Sequence, residues 1–101
     1  MNKEEIQKQR SETPVFTGVI KYFPNAIREI ARCSFIANEQ HNKGQPMHWA
    51  KEKSIGNGDQ LLRHLMDEET FDTDGIRHRA KCAWRALELL EREIMKENEG
   101  K

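Results

Sequence analysis

Apolar side chains recur every three or four residues in three stretches of the chain, the spacing of a helix with one buried face. The first stretch begins near Pro24, whose fixed φ suits a first helical turn, and ends near Asn38. Ser54 or Asn57 is placed to cap the second, which carries Leu61, Leu62 and Leu65. These stretches and a third, longer one predict an all-α fold with three main helices.

The third stretch runs over residues 74–97 and follows a turn that ends in Asp72-Thr73-Asp74-Gly75. Its predicted buried stripe is Ile76, Ala80, Ala83, Leu87, Leu90 and Ile94. Residues 1–14 are charged and polar, and we predict a flexible N-terminal arm there. Residues 15–97 are predicted to form one domain and residues 98–101 a frayed tail. Within that domain, residues 15–23 are compatible with an extended segment or a short amphipathic turn, and residues 48–53 form a polar, aromatic connector.

Composition narrows the range of partners. At 101 residues, with 36% hydrophobic and 34% charged residues, the chain has material for only a thin core, so we expect a homo-oligomer. The 17 basic and 17 acidic residues cancel, which disfavours nucleic acid as a partner. No apolar run reaches the roughly 20 residues that span a bilayer, and the first residues do not resemble a signal peptide. Cys33 and Cys82 are predicted to be buried free thiols. We therefore expect a cytoplasmic protein with no membrane partner.

Carboxylates and histidines are concentrated around the second and third helices. Glu39, Asp67, Asp72 and Asp74 are hard oxygen donors of the kind that Mg²⁺ or Mn²⁺ prefers. The four histidines have no recognised zinc-ligand spacing, so a zinc site is not expected.

Cations and aromatic residues lie near these acids. His78, Lys81 and Arg85 are spaced to form one basic stripe, which is either a solvated face or a row of donors for a triphosphate. His64 shares a helix face with Asp67, either as a surface hydrogen-bonding residue or as part of a site. Arg63 is equally suited to binding a phosphate and to forming an ion pair with a neighbouring carboxylate. Trp49 is equally compatible with packing in the core and with stacking on a nucleotide base, whereas Trp84 is predicted to be structural.

Taken together, several short motifs resemble one known family. They are Lys21-Tyr22-Phe23-Pro24, Asn38-Glu39-Gln40-His41-Asn42, His48-Trp49, Lys53-Ser54, Arg63-His64-Leu65, Asp72-Thr73-Asp74-Gly75-Ile76-Arg77-His78 and Ala83-Trp84-Arg85-Ala86-Leu87. Over residues 15–93 the chain resembles the phage and prophage proteins described as dATP/dGTP diphosphohydrolase, N-terminal. These are regarded as relatives of the MazG-like all-α nucleotide pyrophosphohydrolases.

The resemblance implies a MazG-like helical bundle that cleaves a deoxynucleoside triphosphate, a purine one by the family's description, into monophosphate and pyrophosphate with Mg²⁺ or Mn²⁺. The residues it implies as metal ligands are Glu39, Asp72 and Asp74. It implies phosphate contacts from Lys53, Arg63 and Lys81, a catalytic or orienting role for His64 and His78, and nucleotide contacts from His48 and Trp49.

The chain departs from the wider MazG-like group in one respect. That group carries E-x-x-E followed by E-x-x-D on the next helix, whereas this chain has a single E-x-x-E, Glu88 to Glu91, near the end of its last helix. We expect these glutamates on an exposed helix face. The leading hypothesis is a deoxynucleoside triphosphate pyrophosphohydrolase. One alternative is a non-catalytic nucleotide-binding protein that sequesters or senses a nucleotide. The other is a structural module in which the charged helix faces only keep a helical bundle in solution.

Overall fold

The chain folds into α-helices, which confirms the all-α prediction. A computed structural model describes residues 1–53 and 56–100, the side chain of Lys53 excepted. Within these residues the α-helices are α1 (Lys3–Ser11), α2 (Pro24–His41), α3 (Asn57–Met66) and α4 (His78–Glu99). A π-helical turn spans Phe16–Ile20, and a 3₁₀ turn spans Lys51–Lys53. The segment at 15–23 is thus the short turn rather than the extended segment.

The N-terminal arm contains a helix that the apolar pattern did not predict. The side chain of Asn2 accepts a 2.8 Å hydrogen bond from the backbone N–H of Glu5, and acidic and basic residues occupy the first and last turns of α1. A cap and charges that oppose the helix dipole favour a helix without any packing partner. The three-helix prediction is therefore wrong in number, because it relied on apolar periodicity alone.

α2 begins at Pro24, as predicted, and its C-terminal turn holds the following loop. Asn38 is buried; its Nδ2 donates to the Gln45 carbonyl at 3.1 Å, and its Oδ1 accepts from the His48 N–H at 3.3 Å. These bonds fold the loop after α2 back against the helix. The connector that carries His48 and Trp49 consequently starts beside α2.

α3 and α4 pack against each other, and α2 packs on α4. α3 begins after Gly56, which adopts a left-handed φ of 68° that glycine tolerates. Asn57 is buried at the first position of the helix and accepts a 2.9 Å hydrogen bond from Arg85 Nη1 of α4. The alternative cap, Ser54, lies outside the described residues.

α4 begins at His78, four residues later than predicted. Residues 72–75 form a turn in which the Gly75 N–H donates to the Asp72 carbonyl at 3.0 Å. Gly75 has a positive φ of 81°. An isolated antiparallel bridge pairs Phe71 with Arg77 directly around this turn. The backbone bonds of residues 70–78 are therefore made within the loop, so the helix cannot extend back to Asp74.

The core is small, and the predicted apolar stripe of α4 is only partly buried. Ile76 and Ala80 are buried, but Leu87, Leu90 and Ile94 are exposed in the single chain. The prediction fails toward the end of α4, where Leu87, Leu90 and Ile94 border an open cleft with Ile30 of α2. No described helix combines the length and apolar character needed to cross a bilayer.

Candidate functional site

The loop between α3 and α4 presents two carboxylates to one lysine. Lys81 Nζ donates to Asp72 Oδ2 at 2.6 Å and to Asp74 Oδ2 at 2.7 Å. The remaining carboxylate oxygens accept backbone N–H groups: Asp72 Oδ1 from Thr73 at 2.7 Å and Asp74 Oδ1 from Ile76 at 3.1 Å. Two of the predicted metal ligands and one predicted phosphate contact thus form a single ion-pair cluster.

The proton affinities in this cluster follow from its hydrogen bonds. The hydrogen bond from Lys81, with that from the Thr73 N–H, lowers the pKa of Asp72 to about 2. Burial acts to raise the pKa of Asp74, but the hydrogen bonds from Lys81 and Ile76 outweigh it, so that pKa is also lowered. For Lys81, burial opposes the charged form, yet the two carboxylates raise its pKa. All three groups are therefore charged at neutral pH.

His64 of α3 meets His78 of α4 beside this cluster. Their Nδ1 atoms lie 2.8 Å apart, and the ring centroids are 5.0 Å apart with the rings tilted by 32°. His64 is only 4% exposed. Burial, followed by the nearby positive charge of Arg63, lowers the pKa of His64, so the neutral imidazole is favoured.

The protons of this pair can be assigned from Arg63. Its Nη2 lies 3.4 Å from His64 Nε2, and a guanidinium can only donate, so Nε2 is the acceptor. A neutral His64 then carries its proton on Nδ1 and donates it to His78 Nδ1. His78 in turn holds its own proton on Nε2.

One ligand atom from each of His64, Asp72 and His78 lies within 4.8 Å of the others, and among the described residues these three form a group able to hold a metal ion. The spacing of 64, 72 and 78 along the chain did not suggest it, because the group forms only when α3, the loop and the first turn of α4 come together.

His64 and Asp72, but not His78, border a cavity of about 210 Å³, the His64 cavity. Five of the predicted site residues line it: Arg63, His64, Asp72, Asp74 and Lys81. Its remaining wall is mixed, with Arg85 and Gln60 beside apolar side chains of α2 and α4. Cations, carboxylates and the imidazoles of His41 and His64 therefore face one small space.

A second space, the His48 cavity, has a volume of about 620 Å³ and lies next to the first. The two cavities have lining residues in common, namely Ala37, His41, Gln60, Trp84 and Arg85. The predicted ligand contacts His48 and Trp49 line the larger cavity only. The larger volume falls in the range of roughly 300–1,000 Å³ that small-molecule sites occupy.

Two predicted site residues are not brought into this arrangement. Glu39 is half-buried on α2 and lines neither cavity, so it is separated from Asp72 and Asp74. The side chain of Lys53 lies outside the described part of the chain.

Glu88 was expected on an exposed face and is instead 4% exposed. Its carboxylate accepts from Trp49 Nε1 at 2.8 Å, from Arg85 Nη1 at 2.9 Å and from Arg92 Nη2 at 3.3 Å. The spacing of Arg85, Glu88 and Arg92 at three and four residues was a signal for such a cluster. Glu91, in contrast, is exposed as expected.

The basic stripe of α4 is not a solvated face. His78, Lys81 and Arg85 are all half-buried, and each contacts a side chain from another element: His64, the two aspartates and Asn57, respectively. Trp84 is half-buried and donates a 2.8 Å hydrogen bond to Ser34 Oγ of α2, in line with its predicted structural role.

Compared with protein families, curated proteins and solved structures, the chain gives no match. The site is therefore interpreted from its own geometry and chemistry.

Proposed function

We propose that this protein hydrolyses a deoxynucleoside triphosphate to the monophosphate and pyrophosphate in a metal-dependent reaction. The observation that carries the proposal is the His64 cavity, where Arg63, His64 and Asp72 face one space. Phosphoryl transfer requires cations for the phosphate oxygens together with groups that hold a metal and orient water. This cavity supplies both kinds of group.

The proposed roles follow from the contacts of each side chain. Arg63 is exposed at the cavity, and its one hydrogen-bonding side-chain contact among the described residues is the 3.4 Å approach to His64, so its guanidinium can turn to phosphate oxygens. Lys81 is held by two carboxylates; we assign it to positioning Asp72 rather than to binding phosphate. Arg85 lines both cavities, which suits a contact near the junction of phosphate and sugar.

A divalent ion fits a site made of Asp72 and the imidazoles of His64 and His78 better than a site made of carboxylates alone. Asp72 belongs to the described group of three side chains whose ligand atoms lie within 4.8 Å of one another, whereas Asp74 is not part of that group and Glu39 lies outside the cavity. When bound, a divalent ion would polarise a phosphate oxygen and lower the pKa of a water molecule. Thr73 and Lys81 hold the carboxylate of Asp72 in place for this role.

The His48 cavity is the proposed site of the nucleoside. Lys51 Nζ lies 5.6 Å and Arg92 Cζ 5.3 Å from the centroid of the Trp49 ring. A base that stacked on Trp49 would therefore contact the same ring as these two cations. Trp84 lines both cavities and provides a second aromatic wall. A purine preference rests on the family resemblance alone.

The test is pyrophosphate release from each of the four dNTPs with Mg²⁺ or Mn²⁺. We expect metal-dependent release by the wild type and at least a roughly 100-fold loss in Asp72→Asn. Asp59→Asn, at an exposed position of α3, serves as the matched control. Turnover by Asp72→Asn at the rate of this control would refute the role of Asp72 in metal-dependent hydrolysis.

A non-catalytic nucleotide-binding protein is the second candidate, and the contact of Lys81 with both carboxylates favours it. The Lys81 ammonium already bridges the two acids and offsets one of their two negative charges, in the place that a metal ion would take in an enzyme. This candidate predicts a dNTP-induced rise in melting temperature in the presence of EDTA, with no pyrophosphate released after metal is added.

We further propose that the protein acts as a homo-oligomer. The single chain exposes 8337 Å² of surface, whereas a compact monomer of 11.9 kDa exposes roughly 6,000 Å². Part of the excess belongs to α1, but Leu87, Leu90 and Ile94 of α4 are also exposed. They border an apolar cleft with Ile30, a surface suited to a second copy.

A further inference from the structure

His64 and His78 come from different helices and point the same ring nitrogen at each other, with Asp72 close by. We propose that His64 Nδ1, His78 Nδ1 and an oxygen of Asp72 bind one first-row transition-metal ion, and that binding releases Arg63 from His64. The ion site stands on geometry alone, whereas its link to phosphate binding rests on the proposed function.

The distances are close to those of a coordinated ion. Two nitrogens bound to one ion at about 2.1 Å lie about 3.0 Å apart in octahedral geometry and about 3.4 Å apart in tetrahedral geometry. The two Nδ1 atoms are 2.8 Å apart, so an ion requires them to separate by a few tenths of an ångström and the rings to turn until both lone pairs point to it. Asp72 belongs to the same group, in which one ligand atom of each residue lies within 4.8 Å of the others, so its carboxylate is placed to supply the third ligand.

The ligand types select the class of ion. Imidazole nitrogens suit Mn²⁺, Fe²⁺, Co²⁺ and Zn²⁺, whereas Mg²⁺ prefers oxygen ligands and retains its water. With two imidazoles and one carboxylate, the site favours the transition metals. Three protein ligands also leave positions for water or phosphate oxygens.

The surrounding contacts fix two of the three ligands before an ion arrives. The His78 N–H bonds to the Thr70 carbonyl at 3.1 Å, and the Asp72 N–H bonds to the Ile76 carbonyl at 2.8 Å. Lys81 and the Thr73 N–H hold the Asp72 carboxylate. Such outer contacts orient ligands and raise metal affinity.

Arg63 and the ion compete for one tautomer of His64. The contact with Arg63 requires His64 to carry its proton on Nδ1, but an ion needs the lone pair of that nitrogen. In the ion-bound state the proton therefore moves to Nε2, where it faces the guanidinium. Arg63 must then turn away, which makes its donors available to a phosphate in the same cavity.

The experiment is a Co²⁺ titration of the full chain, without a polyhistidine tag, followed by visible absorption and by competition with Zn²⁺ and Mg²⁺. We expect one ion per chain, displaced by Zn²⁺ but not by a large excess of Mg²⁺. His64→Asn and His78→Asn should each weaken Co²⁺ binding roughly 100-fold. Asp59→Asn, at an exposed position that lines neither cavity, should bind as the wild type does.

Circular dichroism verifies that each variant is folded, and His78→Asn decides the outcome if the buried His64 position does not tolerate asparagine. Wild-type affinity in a folded His78→Asn variant would overturn the ion site. Equal competition by Mg²⁺ would overturn the choice of ion class.

Arg63→Met tests the coupling in the absence of nucleotide. Because the variant no longer opposes the Nε2–H tautomer, we expect Co²⁺ to bind several-fold more tightly, whereas Arg28→Met on α2 should leave the affinity unchanged. Unchanged affinity in Arg63→Met would overturn the coupling. Co²⁺ binding without dNTP turnover would refute the proposed hydrolase but keep the ion site. Turnover driven by Mg²⁺ without Co²⁺ binding would refute the ion site but keep the hydrolase.

Discussion

The indole N–H of Trp49 donates a 2.8 Å hydrogen bond to the carboxylate of Glu88, which lies 39 residues further along the chain. This bond fastens the connector after α2 to the middle of α4. Arg92 Nη2 strengthens the attachment by donating to the Lys51 carbonyl at 2.8 Å as well as to Glu88. The connector consequently forms a wall of the His48 cavity, next to the cavity that holds His64.

Glu88→Ala should be among the most destabilising single substitutions in the chain. It removes a buried carboxylate and leaves Arg85, Arg92 and the Trp49 N–H without this acceptor, a loss of about 3–5 kcal/mol in the free energy of unfolding. Urea denaturation measures the change. The control is Glu91→Ala, which is exposed and should change stability by less than about 0.5 kcal/mol. Equal effects at the two positions would contradict the buried cluster.

Stability should fall in acid because of Asp72. Its pKa is about 2 in the folded chain against 3.8 ordinarily, so the unfolded chain binds more protons between these values. The contribution, at most about 2 kcal/mol, is present above pH 4 and disappears as the pH falls toward 2. Urea titrations with EDTA between pH 5 and pH 2 should show a shallower decline for Asp72→Asn. Parallel curves for the two proteins would refute this origin.

Lys81→Met should destabilise the loop and make it responsive to divalent cations. The change leaves Asp72 and Asp74 as unpaired neighbouring charges, at a cost of about 2–4 kcal/mol. Added Mg²⁺ or Ca²⁺ should raise the melting temperature of this variant by several degrees more than that of the wild type. Lys96→Met, at an exposed position, provides the control. Identical cation responses in all three proteins would show that the acids do not share a cation.

Deletion of residues 1–13 should leave the helical body intact. Every residue of α1 is exposed or half-buried, and its cap and charges act within the helix itself. We expect the melting temperature to change by less than about 3 °C. A fall of more than about 10 °C would mean that α1 packs, either on its own chain or on another copy.

Leu90→Glu should dissociate the proposed oligomer. Leu90 is 53% exposed in the single chain and borders the apolar cleft of α4, where a charge would oppose contact with a second copy. Sedimentation velocity should show a larger species for the wild type and a monomer for the variant. Leu62→Glu is the matched control because it is similarly exposed on α3, away from this cleft. A wild-type monomer at micromolar concentration would rule out the proposal.

Local signals located the helices well and failed where burial was at issue. Pro24 and the apolar repeat after it placed α2, and the Asp72-to-Gly75 sequence indicated a turn, although the bridge around it delayed α4 to His78. The pattern also treated Leu90 as buried and Glu88 as exposed, and the structure reverses both. Periodicity identifies a face of a helix, but it does not reveal which neighbours cover that face.

The sequence by itself determined the all-α class, the approximate extents of α2 and α3 and the residue types available for a site, because these depend on contacts between residues a few positions apart. Only the tertiary structure decided which of those residues meet. His64 and His78 are neighbours because α3 packs on α4, whereas Glu39 of α2 lines neither cavity. Such contacts depend on how the helices pack, and helix packing is fixed by the whole set of buried side chains rather than by any local spacing.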